Sequence, residues 1–381
     1  MSNLISGKSL PMVDLKSQYN RLKDEIMGGF QEVLENTQFI NGPVVKEFAA
    51  QLADYLDVKH AIPCGNGTDA LQIALMSLGL KPGDEVITTP FTFVSTAEVI
   101  GLLGLKPVFV DVDKETFLMD VSKLEAKITP DTRCVIPVHL FGQCVDMESL
   151  VKICKKHNLK IVEDNAQAIG AEIRFSDGTV KKAGTIGDIG TTSFFPSKNL
   201  GCYGDGGAIF TNNDDYSKLV KMIVNHGSSK KYYHDVIGVN SRLDSLQAVV
   251  LKAKLPHLDA FNMARQKVAA FYNAKFKDLG SVQTPSFASW STHVFHQYTL
   301  RLIGFDRAPF MEYLKECGIS SAVYYPVPLH IQEGYKESGY TNGDFPISEE
   351  LSESVISLPI HTEMDNDKLE YITSKVIEYF N

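Results

Sequence analysis

The sequence predicts an α/β protein, with a large domain on a mostly parallel sheet over residues 1–250 and a smaller α+β domain over 251–381. Two observations carry that expectation. Between residues 85 and 211, short runs rich in Val and Ile alternate with helical stretches, and strands buried on both faces and separated by helices are the mark of a parallel sheet. From about residue 240 the alternation stops, and a long helical stretch leads into a shorter strand–helix–strand pattern. A chain of 381 residues is long enough for two domains with a core each.

Residues 15–35 and 43–56 are expected to be helical; in the second, Val44, Phe48, Leu52 and Tyr55 recur at three- and four-residue steps, as one buried face requires. Strands are expected at Glu85–Thr89, Pro107–Val112, Cys134–His139, Lys160–Asp164, Thr191–Phe195 and Ala208–Thr211. Helices at about 67–79, 94–104 and 147–157 fall before and between them. The polar, turn-rich stretch 171–188 reads as a hairpin insertion. Beyond it, helix is expected from Asp244 through Leu258 to Lys277, a strand at His296–Leu302, a helix at Ala308–Cys317, a strand at Ser320–Tyr325 and a last helix at Asp367–Tyr379. Glu349–Glu353 reads as a solvated helix face.

The totals narrow the function. A net charge of −9 argues against a nucleic-acid surface. The opening 25 residues have no long apolar core or cleavage site of a signal peptide, and no run approaches the roughly 20 apolar residues of a membrane helix. Six cysteines are scattered without CxxC or CxxH spacing, and so read as reduced thiols of a cytoplasmic protein. The histidines form no spaced metal set, and none is assigned a metal.

Three constellations carry chemistry. In CGNGTDALQIAL (64–75) glycines precede Thr68 and an apolar helical run follows; a helix start of this kind suits a phosphate, although helix capping alone would use the same residues. In IVEDNAQAIGA (161–171) Asp164 ends an apolar strand, where open α/β sheets place ligand-binding groups, and Gln167 follows three residues on. In TTSFFPSKNLGCYGDGGAIFTNN (191–213) Lys198 stands between an aromatic strand and a glycine-rich loop. A lysine nucleophile must be partly desolvated so that its amine is neutral often enough to attack a carbonyl, and Phe194, Phe195 and Pro196 offer that setting. The stretch GNGTDA (65–70) also resembles a dinucleotide fingerprint, but no clear strand precedes it and no acidic residue closes a second strand at the expected distance.

Asp164, the SFFPSKNLGCYGDGGAI block and GVNSRLDSLQAVVL (238–251) together resemble the signature blocks of the DegT/DnrJ/StrS family of pyridoxal-phosphate (PLP) aminotransferases of nucleotide-linked sugars. The resemblance runs from VDLKSQY (13–19) to YYPVPLHIQEGY (324–335) and SLPIHTEM (357–364). It implies the fold-type I aminotransferase arrangement, with a mixed, mostly parallel large-domain sheet. It implies pyridoxal 5′-phosphate as cofactor, carried by Lys198 as a Schiff base, with Lys198 later shuttling protons. Asp164 would pair with the ring nitrogen and Gln167 would lie on the ring-hydroxyl side. Gly67, Thr68 and the backbone of Asp69, helped by Ser193, would bind the phosphate, and Phe93 in TPFTFVST would stack on the ring. Asn240 would reach the phosphate of the partner subunit in a homodimer, and Arg242, Tyr324 and Tyr325 would contact substrate. The implied reaction moves an amino group from glutamate to a nucleotide-linked keto-hexose, giving an amino-sugar for surface polysaccharide or secondary-metabolite synthesis. NSRLDSLQA looks more like the branch acting at C3 than the one acting at C4, and a PLP-binding regulatory protein on the same fold is a further alternative.

Overall fold

The computed structural model describes residues 9–381, so part of the opening stretch read as lacking a signal peptide lies outside the described residues. Two helices come first, α1 (Leu15–Asn36) and α2 (Pro43–Leu56), followed by β1 (His60–Cys64) and α3 (Gly67–Ser77). Next are β2 (Glu85–Thr88), α4 (Ser95–Leu102), β3 (Lys106–Phe109), β4 (Thr132–Val135), α5 (Met147–Lys156) and β5 (Lys160–Asp164). The hairpin β6 (Glu172–Arg174) and β7 (Val180–Lys182) precedes β8 (Ile189–Ser193), β9 (Gly207–Thr211), α6 (Asp214–Ile223) and a second hairpin, β10 (Ser228–Lys230) and β11 (Tyr233–His234). The remainder is α7 (Ser245–Lys254), α8 (Leu258–Phe276), β12 (Val282–Gln283), β13 (Tyr298–Leu302), α9 (Arg307–Glu316), α10 (Pro346–Ser354), β14 (Val355–Leu358) and α11 (Asn366–Phe380).

Seven strands make one sheet in the order β1-β9-β8-β5-β4-β2-β3. From β3 to β8 all neighbours are parallel, and β9 runs against both β8 and β1. The sheet is therefore mixed and mostly parallel, as expected. Every residue of β2 and β9 is buried, because helices cover both faces: α3 and α6 supply Ala70, Leu71, Ala74, Val220 and Ile223 to one core, α5 supplies Met147, Leu150 and Cys154 to another. A separate antiparallel sheet, β12-β13-β14, packs with α8, α9 and α11 around Tyr272, Tyr298 and Phe310. Leu10 pairs with Ile319 and joins that second core. Among the described residues no helix is long and apolar enough to cross a membrane, no group of His, Cys, Asp and Glu is arranged to hold a metal ion, and all six cysteines are free.

Several expectations need correction. A strand, β1, does precede GNGTDA. It was missed because Pro63 interrupts a five-residue run, and a proline without an N–H is tolerated only at a sheet edge, where β1 lies. The case against a dinucleotide fingerprint therefore rests on β2, which closes on Thr88 and not on an acidic residue. Ser320–Tyr325 is not a strand: only Ala322 pairs, with Ser357, and the chain leaves the small sheet so that Tyr324 and Tyr325 can pack against the large-sheet core. Glu349–Glu353 is not a uniformly solvated face: Leu351 and Ser352 are buried, and Glu349 is half-buried with its Oε1 accepting from His330 Nε2 at 2.9 Å, so that of the three glutamates Glu350 and Glu353 are the exposed ones. The expected strands at 107–112 and 134–139 also end early, at Phe109 and Val135.

Candidate active site

Strands β5 and β8 lie side by side and parallel, with Asp164 opposite Thr191. Their carboxyl ends bring Asp164 and Ser193 to one edge of the sheet, the edge at which open α/β sheets bind ligands. Asp164 is only 5% exposed, and a buried carboxylate needs donors. Thr96 Oγ1 donates to its Oδ2 at 2.7 Å and the Ala166 N–H donates to its Oδ1 at 3.1 Å.

Past Ser193 the chain turns, and the Lys198 N–H donates to the Phe195 carbonyl at 2.8 Å. Of the two phenylalanines expected to shield Lys198, Phe194 is fully buried and packs edge-on against Phe48, whereas Phe195 is exposed. Burial lowers the Lys198 amine to about 8, although the Asp164 carboxylate acts in the opposite direction. At pH 7.5 about a quarter of such amines are neutral, against roughly 0.1% for an ordinary lysine. That difference separates a competent nucleophile from an inert one.

Strand β1 delivers the chain to the start of α3. The cap is Asn66, whose Oδ1 accepts from the Asp69 N–H at 2.8 Å. The first N–H groups of a helix have no acceptor within it, so those of Gly67 and Thr68 remain for an anion, with the positive end of the helix dipole behind them. A Cβ at Gly67 would lie 2.6 Å from Ser193 Cβ, so only glycine lets the helix begin directly against the end of β8. Thr68 Oγ1 and Ser95 Oγ share a hydrogen bond of 2.6 Å. Ser95 and Thr96 open α4, and by bonding Thr68 and Asp164 respectively they tie the glycine loop to the carboxylate. Neither was singled out from sequence. The only signal was their place at the end of TPFTFVST.

Phe93, just before α4, is 55% exposed and its ring stands 6.3 Å from that of Tyr325. Gln167 is held at both ends: its Oε1 accepts from the Phe141 N–H at 2.7 Å and its Nε2 donates to the Tyr325 hydroxyl at 2.9 Å. Burial raises the Tyr325 phenol well above its ordinary value, with the Gln167 bond opposing and the Asp164 charge adding; burial also raises Tyr324. Asp164 thus lies close enough for its charge to act on both Lys198 and Tyr325, Tyr325 meets Gln167 and Phe93, and Gly67 meets Ser193.

Asn240 and Arg242 are placed differently. Asn240 is exposed and bridges to Asn225, while Arg242 Nη1 donates to Asn225 Oδ1 at 3.1 Å. Between them Ser241 Oγ accepts from the Gly65 N–H at 2.9 Å, so the segment touches the glycine loop through Ser241.

Comparisons with known proteins agree with this geometry. A model of the DegT/DnrJ/EryC1/StrS aminotransferase family matches residues 20–377. A pleiotropic regulatory protein of Geobacillus stearothermophilus is 46% identical over 374 residues, covering 98% of this chain and 99% of the relative. The UDP-2-acetamido-2-deoxy-3-oxo-D-glucuronate aminotransferase of Pseudomonas aeruginosa is 43% identical over 363 residues, covering 95% of this chain and 98% of the relative. Among solved structures, S. venezuelae DesV in complex with a ketimine intermediate matches with a TM-score of 0.93 at 36% identity, over 98% of this chain and 99% of that one. With the family model matched over nearly its whole length and the fold shared with a solved aminotransferase, the chain belongs to the DegT/DnrJ/EryC1/StrS aminotransferase family.

Proposed function

We propose that this enzyme transfers an amino group from glutamate to C3 of a nucleotide-linked keto-hexose, using pyridoxal 5′-phosphate held at Lys198, and that it does so as a cytoplasmic homodimer with the domains divided at residue 250. The observation that carries the reading is the placing of Lys198, on the turn just past β8, beside the strand β5 that Asp164 ends; burial of its amine works in the same direction.

The residues present fit the cofactor. The glycine at 67, where a side chain would strike Ser193, opens a helix start for the phosphate, with Thr68 and Ser193 beside it; the Asp69 N–H would exchange Asn66 for a phosphate oxygen. Asp164, fixed by Thr96, would hold the protonated ring nitrogen. Gln167 would lie on the ring-hydroxyl side, and Phe93 would cover the ring face. When bound, pyridoxal 5′-phosphate supplies the sink for the electrons released at the donor's Cα. Lys198 Nζ, freed when the donor's amine takes its place, would remove the proton from that carbon and return one to the carbon that receives the amino group. Asp164, oriented by Thr96 and the Ala166 N–H, would stay paired with the ring nitrogen. Tyr324, Tyr325 and Arg242 would contact the sugar, and the exposed Asn240 would serve the site of the partner subunit.

The choice of C3 follows the NSRLDSLQA block and the P. aeruginosa relative, whose name specifies a 3-oxo sugar. A regulatory role is the second reading, favoured by the name of the G. stearothermophilus relative; it predicts a bound cofactor that glutamate leaves unconverted. The test is incubation with glutamate and a panel of nucleotide-linked 3-keto and 4-keto sugars, with products followed by mass and NMR. A 3-amino product is expected. A 4-amino product would move the reading to the other branch, and no product from any sugar would contradict it.

A further inference from the structure

Asp164 alternates with Glu163 along β5, and successive side chains of a strand point to opposite faces. Glu163 therefore lies behind the residue that faces the ligand, and it is fully buried. Both its oxygens are occupied. Oε1 accepts from the N–H groups of Ile186 and Gly187 at 2.6 and 2.5 Å. Oε2 accepts from the Gly184 N–H at 2.9 Å and meets His139 Nε2 at 2.9 Å.

His139, also fully buried, has its tautomer set by a second bond. The Val145 N–H donates to its Nδ1 at 3.3 Å, so the ring proton sits on Nε2 and is donated to Glu163. The same residue's backbone N–H donates to the Asp164 carbonyl at 3.0 Å, and the Asp164 N–H donates to Pro137 at 3.0 Å. Two residues on, the Phe141 N–H holds Gln167. The carboxylate and the amide that face the ligand are thus each braced by the 137–145 segment, which His139 pins to Glu163.

We propose that Glu163 and His139 are positioning residues for the reaction, acting from behind β5 to hold Asp164 and Gln167 in register with the cofactor; this rests on the aminotransferase reading above. A glutamine at 163 cannot substitute. It has one acceptor oxygen, and in either orientation its NH2 group would face donors that the second carboxylate oxygen now satisfies.

The test uses the full chain and the variants Glu163→Gln and His139→Asn, read in two ways. One is the dissociation constant for pyridoxal 5′-phosphate, from titration of the apo-protein by absorbance. The other is conversion of the loaded protein by glutamate in single turnover, giving a saturated rate and a half-saturating concentration. Glu163→Gln is expected to weaken cofactor binding and to slow the saturated step, each by at least about tenfold. The half-saturating glutamate concentration should stay within about twofold, because neither residue faces the donor. Cofactor affinity and saturated rate both within twofold of wild type would overturn the proposal. If Glu163→Gln fails to fold, His139→Asn decides by the same two readings, since it leaves the three backbone bonds to Glu163 in place. A wild type that binds the cofactor but is not converted by glutamate would instead refute the transamination reading, and the dissociation constants would still decide this one.

Discussion

Lys198 owes its low pKa to burial, since the Asp164 carboxylate pulls the other way. The sign of the consequence is fixed: below about 8 the amine is protonated and inert, and above it the neutral form prevails. Uptake of pyridoxal 5′-phosphate by the apo-protein, followed by stopped-flow absorbance, should accelerate as pH rises through about 8 and level off near pH 9. Continued acceleration beyond pH 9 would mean a lysine as basic as one in water. Lys198, Asp164 and Gly67 were legible in the sequence because each stands at a junction that exposes it: a lysine between aromatics and glycines, an acid closing an apolar run, a glycine before a helix. Thr96, Ser95 and Asn66 were not. The roles of Thr96 and Ser95 come from partners 68 and 27 residues away, and Asn66 was hidden by the Thr and Asp that follow it in the same helix start. The same distance in sequence hid the Gln167–Tyr325 bond, 158 residues apart.

At the level of elements, the site depends on a strap, residues 293–297, which the C-terminal half lays across the 141–143 turn. The Val294 and His296 N–H groups donate to the carbonyls of Gly142 and Phe141, both at 2.8 Å. Arg265 on α8 secures the strap: Nη1 donates to the carbonyls of Phe295, His296 and Ile360 at 3.1, 3.2 and 3.0 Å. It is 5% exposed, and burial lowers its guanidinium to about 10. Arg265→Met would fill much of the same space but leave three buried carbonyls without that donor. A loss of about 3 kcal/mol is expected in urea unfolding, and a change under 1 kcal/mol would show that the strap is held by other means. Elements with a complete pattern were read closely. Helix α2 spans Pro43–Leu56 and β5 spans Lys160–Asp164, both as expected, because apolar spacing and length agree there. β1 escaped because Pro63 breaks its pattern, and 320–325 was misread because its apolar residues pack against the large-sheet core without strand pairing.

For the whole molecule, the proposed dimer places Lys198 and Asn240 of one site on different subunits. That makes a prediction about mixtures. Protein with Lys198→Ala and protein with Asn240→Ala should each be weak or inactive alone. Reassembled in equal amounts, half the dimers are mixed and each has one intact site, so about a quarter of wild-type activity should return. No recovery would mean that each subunit builds its own site. The fold was legible at this scale because α/β alternation is a property of the chain as a whole, whereas the pairing of subunits leaves no periodic trace in one sequence. The account turns most directly on where the cofactor is attached and whether glutamate releases it. Loaded protein would be reduced with borohydride, digested and analysed by mass spectrometry, with and without prior addition of glutamate. The label is expected on Lys198, and it should be lost when glutamate comes first. A label on another lysine, such as the buried Lys254, which burial also lowers to about 8, or one that stays on Lys198 after glutamate, would contradict the account.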